Sequence, residues 1–160
     1  MTNWTWLLFV LLTVLCWGSY GPALHSGQAG FTDTERLHKS LRSLLCVGGA
    51  YFLVAVLIPT ILLGMKGQLA GFTSKGVTLS TLAGVLGALG AIGIIWAFKN
   101  GGKPIVVMPL VFAGAPIVNI IVATIQHPPE GGLASINWKL YLGGILAGVG
   151  AYLVLANKPE

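Results

Sequence analysis

The sequence predicts an all-α integral membrane protein, with five transmembrane helices in a single transmembrane domain over residues 1–160. Three observations carry this. Hydrophobic residues make up 55% of the chain and charged residues only 8%, against roughly a quarter charged in an average soluble domain. A chain of 160 residues has too little interior to hide that much apolar surface. The apolar residues also fall in runs long enough to cross a bilayer, with Lys and Arg at the ends of the runs.

The net charge of +5 does not mark a nucleic-acid binder. The basic residues are scattered at segment ends, where they meet lipid headgroups, and no basic patch is interleaved with aromatics. The lipid bilayer is the expected partner; nucleic acid is not. The chain's 23 glycines suit close helix contacts in lipid.

The first helix is expected over about 4–24. It carries no charge, and Trp4 and Trp6 fit an interfacial belt. The N-terminus lacks the Lys or Arg of a signal peptide's first region, so this helix is read as retained. Its second half, Trp17-Gly18-Ser19-Tyr20-Gly21-Pro22, brings hydrogen-bonding groups to membrane depth and places a breaker at Pro22. Two readings stand: an aromatic anchor with a kink, or the wall of a solute cavity. Residues 25–31 read as a loop. His25 is either a solvated interfacial side chain or part of a gate.

The second helix is expected over about 33–64. Thr32-Asp33-Thr34-Glu35 has the spacing of a capping box, a basic stretch follows (Arg36, His38, Lys39, Arg42), and Pro59 is expected to bend the far end. The third helix is expected over about 76–98. Gly84, Gly87, Gly90 and Gly93 recur every three residues, a pattern that invites another helix to approach closely.

A short charged link, Asn100-Gly101-Gly102-Lys103, leads to the fourth helix, about 104–126. Pro104 is favourable in a first turn. Pro109 and Pro116 each remove a backbone hydrogen bond, which in a bilayer is tolerated where protein, polar side chains or water compensate. Kinks are therefore expected at Pro22, Pro109 and Pro116, with the fourth helix against other helices or a cavity. Asn119 must find a partner, either on a neighbouring helix or a solute. The fifth helix is expected over about 137–156. Its Gly144 and Gly148 form a G-x-x-x-G helix-pairing pattern, expected to pack a dimer.

Cys16 and Cys46 lie inside apolar runs and read as small buried thiols. No His/Cys spacing suits a metal. His25, His38 and His127 are the plausible bases, none with a nucleophile at a meaningful spacing, and phosphate-loop and dinucleotide fingerprints are absent. Neither an enzyme nor a cofactor or metal is expected. Five spans put the termini on opposite sides. Arg36, Lys39, Arg42, Lys99, Lys103 and Lys158 gather on one side, and Lys66, Lys75 and Lys139 on the other. The positive-inside rule then places the N-terminus outside and the C-terminus in the cytoplasm. A bacterial inner (plasma) membrane is the expected setting.

The hairpin at 96–124 resembles EamA-like members of the drug/metabolite transporter superfamily. Ala97-Phe98-Lys99, the polar link to Lys103 and Pro116 stand where that family has an Ala-x-basic-or-aromatic run, a short turn and a late helix proline. The Gly-rich run 142–155 is similar to the family's closing helix, and Trp17-Gly18-Ser19 to the Trp-Gly step of its first helix. The resemblance implies one EamA-like repeat of five helices, half of a typical member. It implies a second copy to complete a pathway and a site near the midplane between repeats.

One departure matters. Small drug-exporting relatives carry a membrane-embedded Glu. Here Asp33, Glu35, Glu130 and Glu160 all lie outside the apolar runs, which argues against proton-driven cation export. The expected function is therefore small-solute transport by a homodimer, not obviously proton-coupled. The solute would be neutral or anionic, and Trp17, Ser19, Tyr20, Trp96 and Asn119 would bind it. The alternative is a non-transporting membrane subunit or scaffold of a larger complex.

Overall fold

A computed structural model of the chain describes residues 4–32, 34–132 and 135–158. Asp33 and Glu160, two of the four acids, lie outside these residues. The described residues contain helix and turn and no strand. Five helices are long and apolar enough to cross a membrane: α1 Thr5–Gly30, α2 Arg36–Met65, α3 Ser74–Lys99, α4 Pro104–Gln126 and α5 Trp138–Ala156. The all-helical class and the five apolar spans are as the sequence predicts. The chain divides into two compact units, Met1–Gly101 and Gly102–Glu160.

In the first unit α1, α2 and α3 pack on one another. Here α1 differs from expectation. It does not stop near residue 24 but continues to Gly30, with Pro22 inside it. Pro22 removes only its own bond, the one to the Gly18 carbonyl. The turns beyond are held because Gly21, Leu24 and Gln28 form a buried stripe, and tertiary packing overrides local propensity. The segment read as a loop is thus the last part of a helix long and apolar enough to cross a membrane.

The capping box does not form. Helix α2 begins at Arg36 with Glu35 at its N-cap and no side-chain cap; a Glu35 carboxylate oxygen lies 3.4 Å from Nε2 of His38 instead. The second helix also runs through Pro59 to Met65. Its backbone takes the π register over Phe52–Leu57. The π turn ends just before Pro59, whose missing N–H leaves the helix one donor short at that point.

Helix α3 starts two residues earlier than expected. Thr73 caps it by accepting from the Gly76 amide at 3.2 Å. A Cβ at Gly76 would come within 3.1 Å of that hydroxyl oxygen, so the glycine serves the cap. At its other end the Asn100 amide and side chain both donate to the Trp96 carbonyl, at 3.0 Å and 2.8 Å. Gly101 then turns the chain with φ 93°, a conformation that costs glycine little.

The glycine stripe of α3 does not do what its spacing predicts. A Cβ at Gly84, Gly87, Gly90 or Gly93 would meet nothing within 4 Å. Cys16 and Cys46 are free and exposed rather than buried.

In the second unit α4 and α5 pair along their lengths. Pro109 and Pro116 both lie within the continuous helix α4. Gly144 and Gly148 bring α5 close: Cβ atoms there would stand 3.9 Å from Ile120 Cδ1 and 3.7 Å from Ile117 Cδ1. The G-x-x-x-G pattern is thus occupied by α4 of the same chain.

Candidate functional site

The chemistry of the first unit gathers at the end where α1 finishes, α2 starts and α3 finishes. Two contacts join these three ends. The His25 ring meets Phe98 edge-on at 5.3 Å between centroids. The Arg36 guanidinium donates to the Lys99 carbonyl at 3.4 Å, a cation at a helix C-terminus where the dipole favours it. Lys99 Nζ stands 5.5 Å from the Trp96 ring centroid, within cation–π range. Ile95 and Phe98 seal α3 against its neighbours and are almost fully buried.

Below this basic end, polar side chains enter the interior. Gln28 is 8%, Ser40 2% and Ser43 3% exposed, so all three are more than nine-tenths buried. On α2 the spacing Arg36, Ser40, Ser43 follows i, i+4, i+7, one helix face. The half-buried Lys39 stands one turn before Ser43 on the edge of that face, and among the described residues it has no carboxylate partner.

Four hydroxyls in these helices satisfy themselves locally. Thr13, Ser40, Thr60 and Thr124 each donate to the carbonyl four residues earlier, at 2.9, 2.8, 2.7 and 2.6 Å, a common way for a helical hydroxyl to avoid a bare polar atom. Ser43 does not. Its Oγ, the Gln28 Nε2 and the Tyr20 hydroxyl are buried without a hydrogen-bond partner. Such atoms are rare and costly, and they require an explanation.

Their depths form a sequence. At 1.5 Å rise per residue, Gln28 lies about 3 Å before the end of α1, Ser43 about 10 Å into α2, and Tyr20 about 15 Å back along α1. A helix of 26 residues is about 39 Å long. The three atoms therefore step from the basic end toward the middle of the span.

Of the residues singled out in the sequence, Tyr20 belongs to this track. Trp96 is half-buried beneath Lys99 at its mouth. Trp17, Ser19 and Pro22 are exposed, so of Trp17, Ser19 and Tyr20 only Tyr20 turns its polar atom inward. Asn119 is exposed on α4. Two residues beyond Ile117, it lies about 200° around the helix, away from the face that meets α5. Pro109 is half-buried and Pro116 exposed. Gln28 and Ser43 escaped the sequence reading. Gln28 fell in the expected loop. Ser43 was passed over in a stretch taken as a basic first turn, although its seven-residue offset from Arg36 was the available signal.

The second unit carries a groove of different character. It holds about 580 Å³ along the α4–α5 seam and is lined mainly by Ile117, Ile120, Ile121, Ile125, Ile145 and Gly148. Thr124 also lines it, with its hydroxyl turned back onto the Ile120 carbonyl. No group of three or more His, Cys, Asp or Glu residues able to hold a metal occurs among the described residues. Comparison of the chain with protein-family profiles, with curated proteins and with solved structures finds no match.

Proposed function

We propose that the chain is one five-helix repeat of a small-solute membrane transporter that works as a homodimer, as the resemblance to EamA-like transporters implies. The observation that carries the reading is the polar track of Gln28, Ser43 and Tyr20 beneath the basic end of the first unit. Helices that only anchor a protein in lipid have no use for buried polar atoms left without partners. A transported solute does, because it can supply the missing hydrogen bonds and leave again. No acid lies within an apolar span, so the carrier is not coupled to protons through a buried carboxylate, and the solute is neutral or anionic. The second copy completes the pathway. The end that bears Arg36, Lys39, Arg42 and Lys99 faces the cytoplasm of a bacterial inner membrane, with the N-terminus outside.

Proteoliposomes holding the pure full-length chain test this. Flux of at least one solute from a broad metabolite panel should exceed that into empty vesicles and fall on Gln28→Leu. If no solute moves, the transport reading fails. What then stands is a non-transporting subunit or scaffold, which the aliphatic groove of the second unit favours. Recovery of a stable hetero-complex from native membranes would establish that alternative.

A further inference from the structure

We infer that the track in the first unit is an oxyanion site: Gln28 and Ser43, with the Tyr20 hydroxyl deeper in, bind the carboxylate or phosphate oxygens of a small anion. The argument starts from what the orphaned atoms can do. The Gln28 Nε2 is a donor only, and a serine or tyrosine hydroxyl can always donate. All three can therefore donate to the same complement, a group that offers lone pairs, and the Gln28 nitrogen can do nothing else. A carboxylate or phosphate is such a group. A hydrogen bond to a charged partner is also shorter and roughly twice as strong as a neutral one, which suits atoms already stripped of water.

Electrostatics selects the same sign. Lys39 stands one turn before Ser43 and has no carboxylate partner among the described residues. Arg36 is fixed on the Lys99 carbonyl, and Lys99 is held at the Trp96 ring. These cations stand at the entrance beside the exposed Glu35–His38 pair, and among the described residues of this end positive charge exceeds negative and no acid lies deeper in α1 to α3, so an anion is drawn inward. A neutral amide or alcohol could satisfy one donor. It would leave the basic entrance without a role. That a bound anion then crosses the membrane rests on the transport reading above; the site itself stands on the geometry of α1 and α2.

The test is binding to the detergent-solubilised full chain, with radiolabelled lactate, acetate and inorganic phosphate as probes. Lactamide serves as the uncharged counterpart of lactate, and choline as a cation. At least one oxyanion should bind, with lactamide and choline at background. Gln28→Met and Ser43→Ala should each weaken oxyanion binding about tenfold or more, the worth of one hydrogen bond to a charged group. Gln28→Met keeps the side-chain length, and Ser43→Ala removes a single oxygen. A monodisperse elution profile for each confirms the fold before binding is read.

A parallel arm measures thermal stability in phosphatidylcholine vesicles with and without phosphatidylglycerol. Stabilisation by the anionic lipid that both variants lose, with no free anion bound, would assign the same oxyanion site to a headgroup and end the transport reading. Oxyanion binding without flux would keep the site and end that reading too. Flux of lactamide at the rate of lactate would keep transport and overturn the oxyanion site. Oxyanion affinity unchanged in both variants would also overturn it, as would failure of every free anion and of the anionic lipid.

Discussion

The α1–α2 seam and the α4–α5 seam solve the same problem in opposite ways. Both join helices that are apolar over most of their length. In the second unit contact is made by small residues under branched ones, Gly144 and Gly148 beneath Ile120 and Ile117, and the groove's hydroxyl at Thr124 is satisfied within its own helix. In the first unit the buried faces of α1 and α2 include Gln28 and Ser43, whose Nε2 and Oγ are not satisfied. Lipid tails are as apolar as leucine, so packing rather than water exclusion drives helix pairing in a bilayer. The second seam follows that logic completely. The first departs from it at specific atoms, which is why function is assigned there.

Substitutions at four positions would sharpen or break this contrast. The largest effect is expected for Ile95→Ala. Ile95 is fully buried, and its loss leaves a cavity that costs about 3 kcal/mol, read as a lowered unfolding midpoint by circular dichroism in detergent. Gly148→Leu should cost about 2 kcal/mol by forcing the second seam apart, whereas Gly148→Ala should be nearly silent because its methyl would stand 3.7 Å from Ile117. Equal effects of the two would refute close glycine packing at that seam.

Ser43→Ala should move stability the other way. Removing a buried hydroxyl that has no partner should raise the stability of the ligand-free chain by about 1 kcal/mol. A loss of stability would mean that the hydroxyl is satisfied, and the contrast between the seams would collapse. The smallest change is expected for Gly87→Ala on the open stripe of α3. No atom lies within reach of its methyl, so the helix should gain a few tenths of a kcal/mol from propensity alone. A large destabilisation would show that this stripe is covered in the assembled protein.

The sequence made the five spans legible because hydropathy and charge placement report the bilayer directly. It made the α4–α5 contact legible as a pairing motif, though not that the partner was α4. Helix α1 beyond Leu24 was hidden by Pro22, Gly27 and Gly30, which argue locally for a break; the burial of Gly21, Leu24 and Gln28 on one face decides otherwise. The candidate site was hidden with it, because Gln28 acquires a depth and a place on the buried face only once those turns are helical. Tyr20 was legible as a polar group at membrane depth. Asn119 carried the same signal and lies exposed instead, since a spacing along one helix does not specify which face its neighbour covers. The glycines of α3 make the same point: their period is real, and among the described residues of the first unit nothing comes within 4 Å of a Cβ built on them.

The π-helical turn at Phe52–Leu57 has a consequence for how this protein can change over generations. A π turn holds about one residue more than an α turn, and a single added residue rotates everything beyond it by about 100°. The half of α2 that carries Ser40 and Ser43 is thereby angularly uncoupled from the half that ends at Met65. Deletion of one codon between Phe52 and Leu57 would swing the outer half to a new azimuth without touching the polar half. The helix thus contains a point at which descendants could re-aim one membrane leaflet's surface while inheriting the other unchanged.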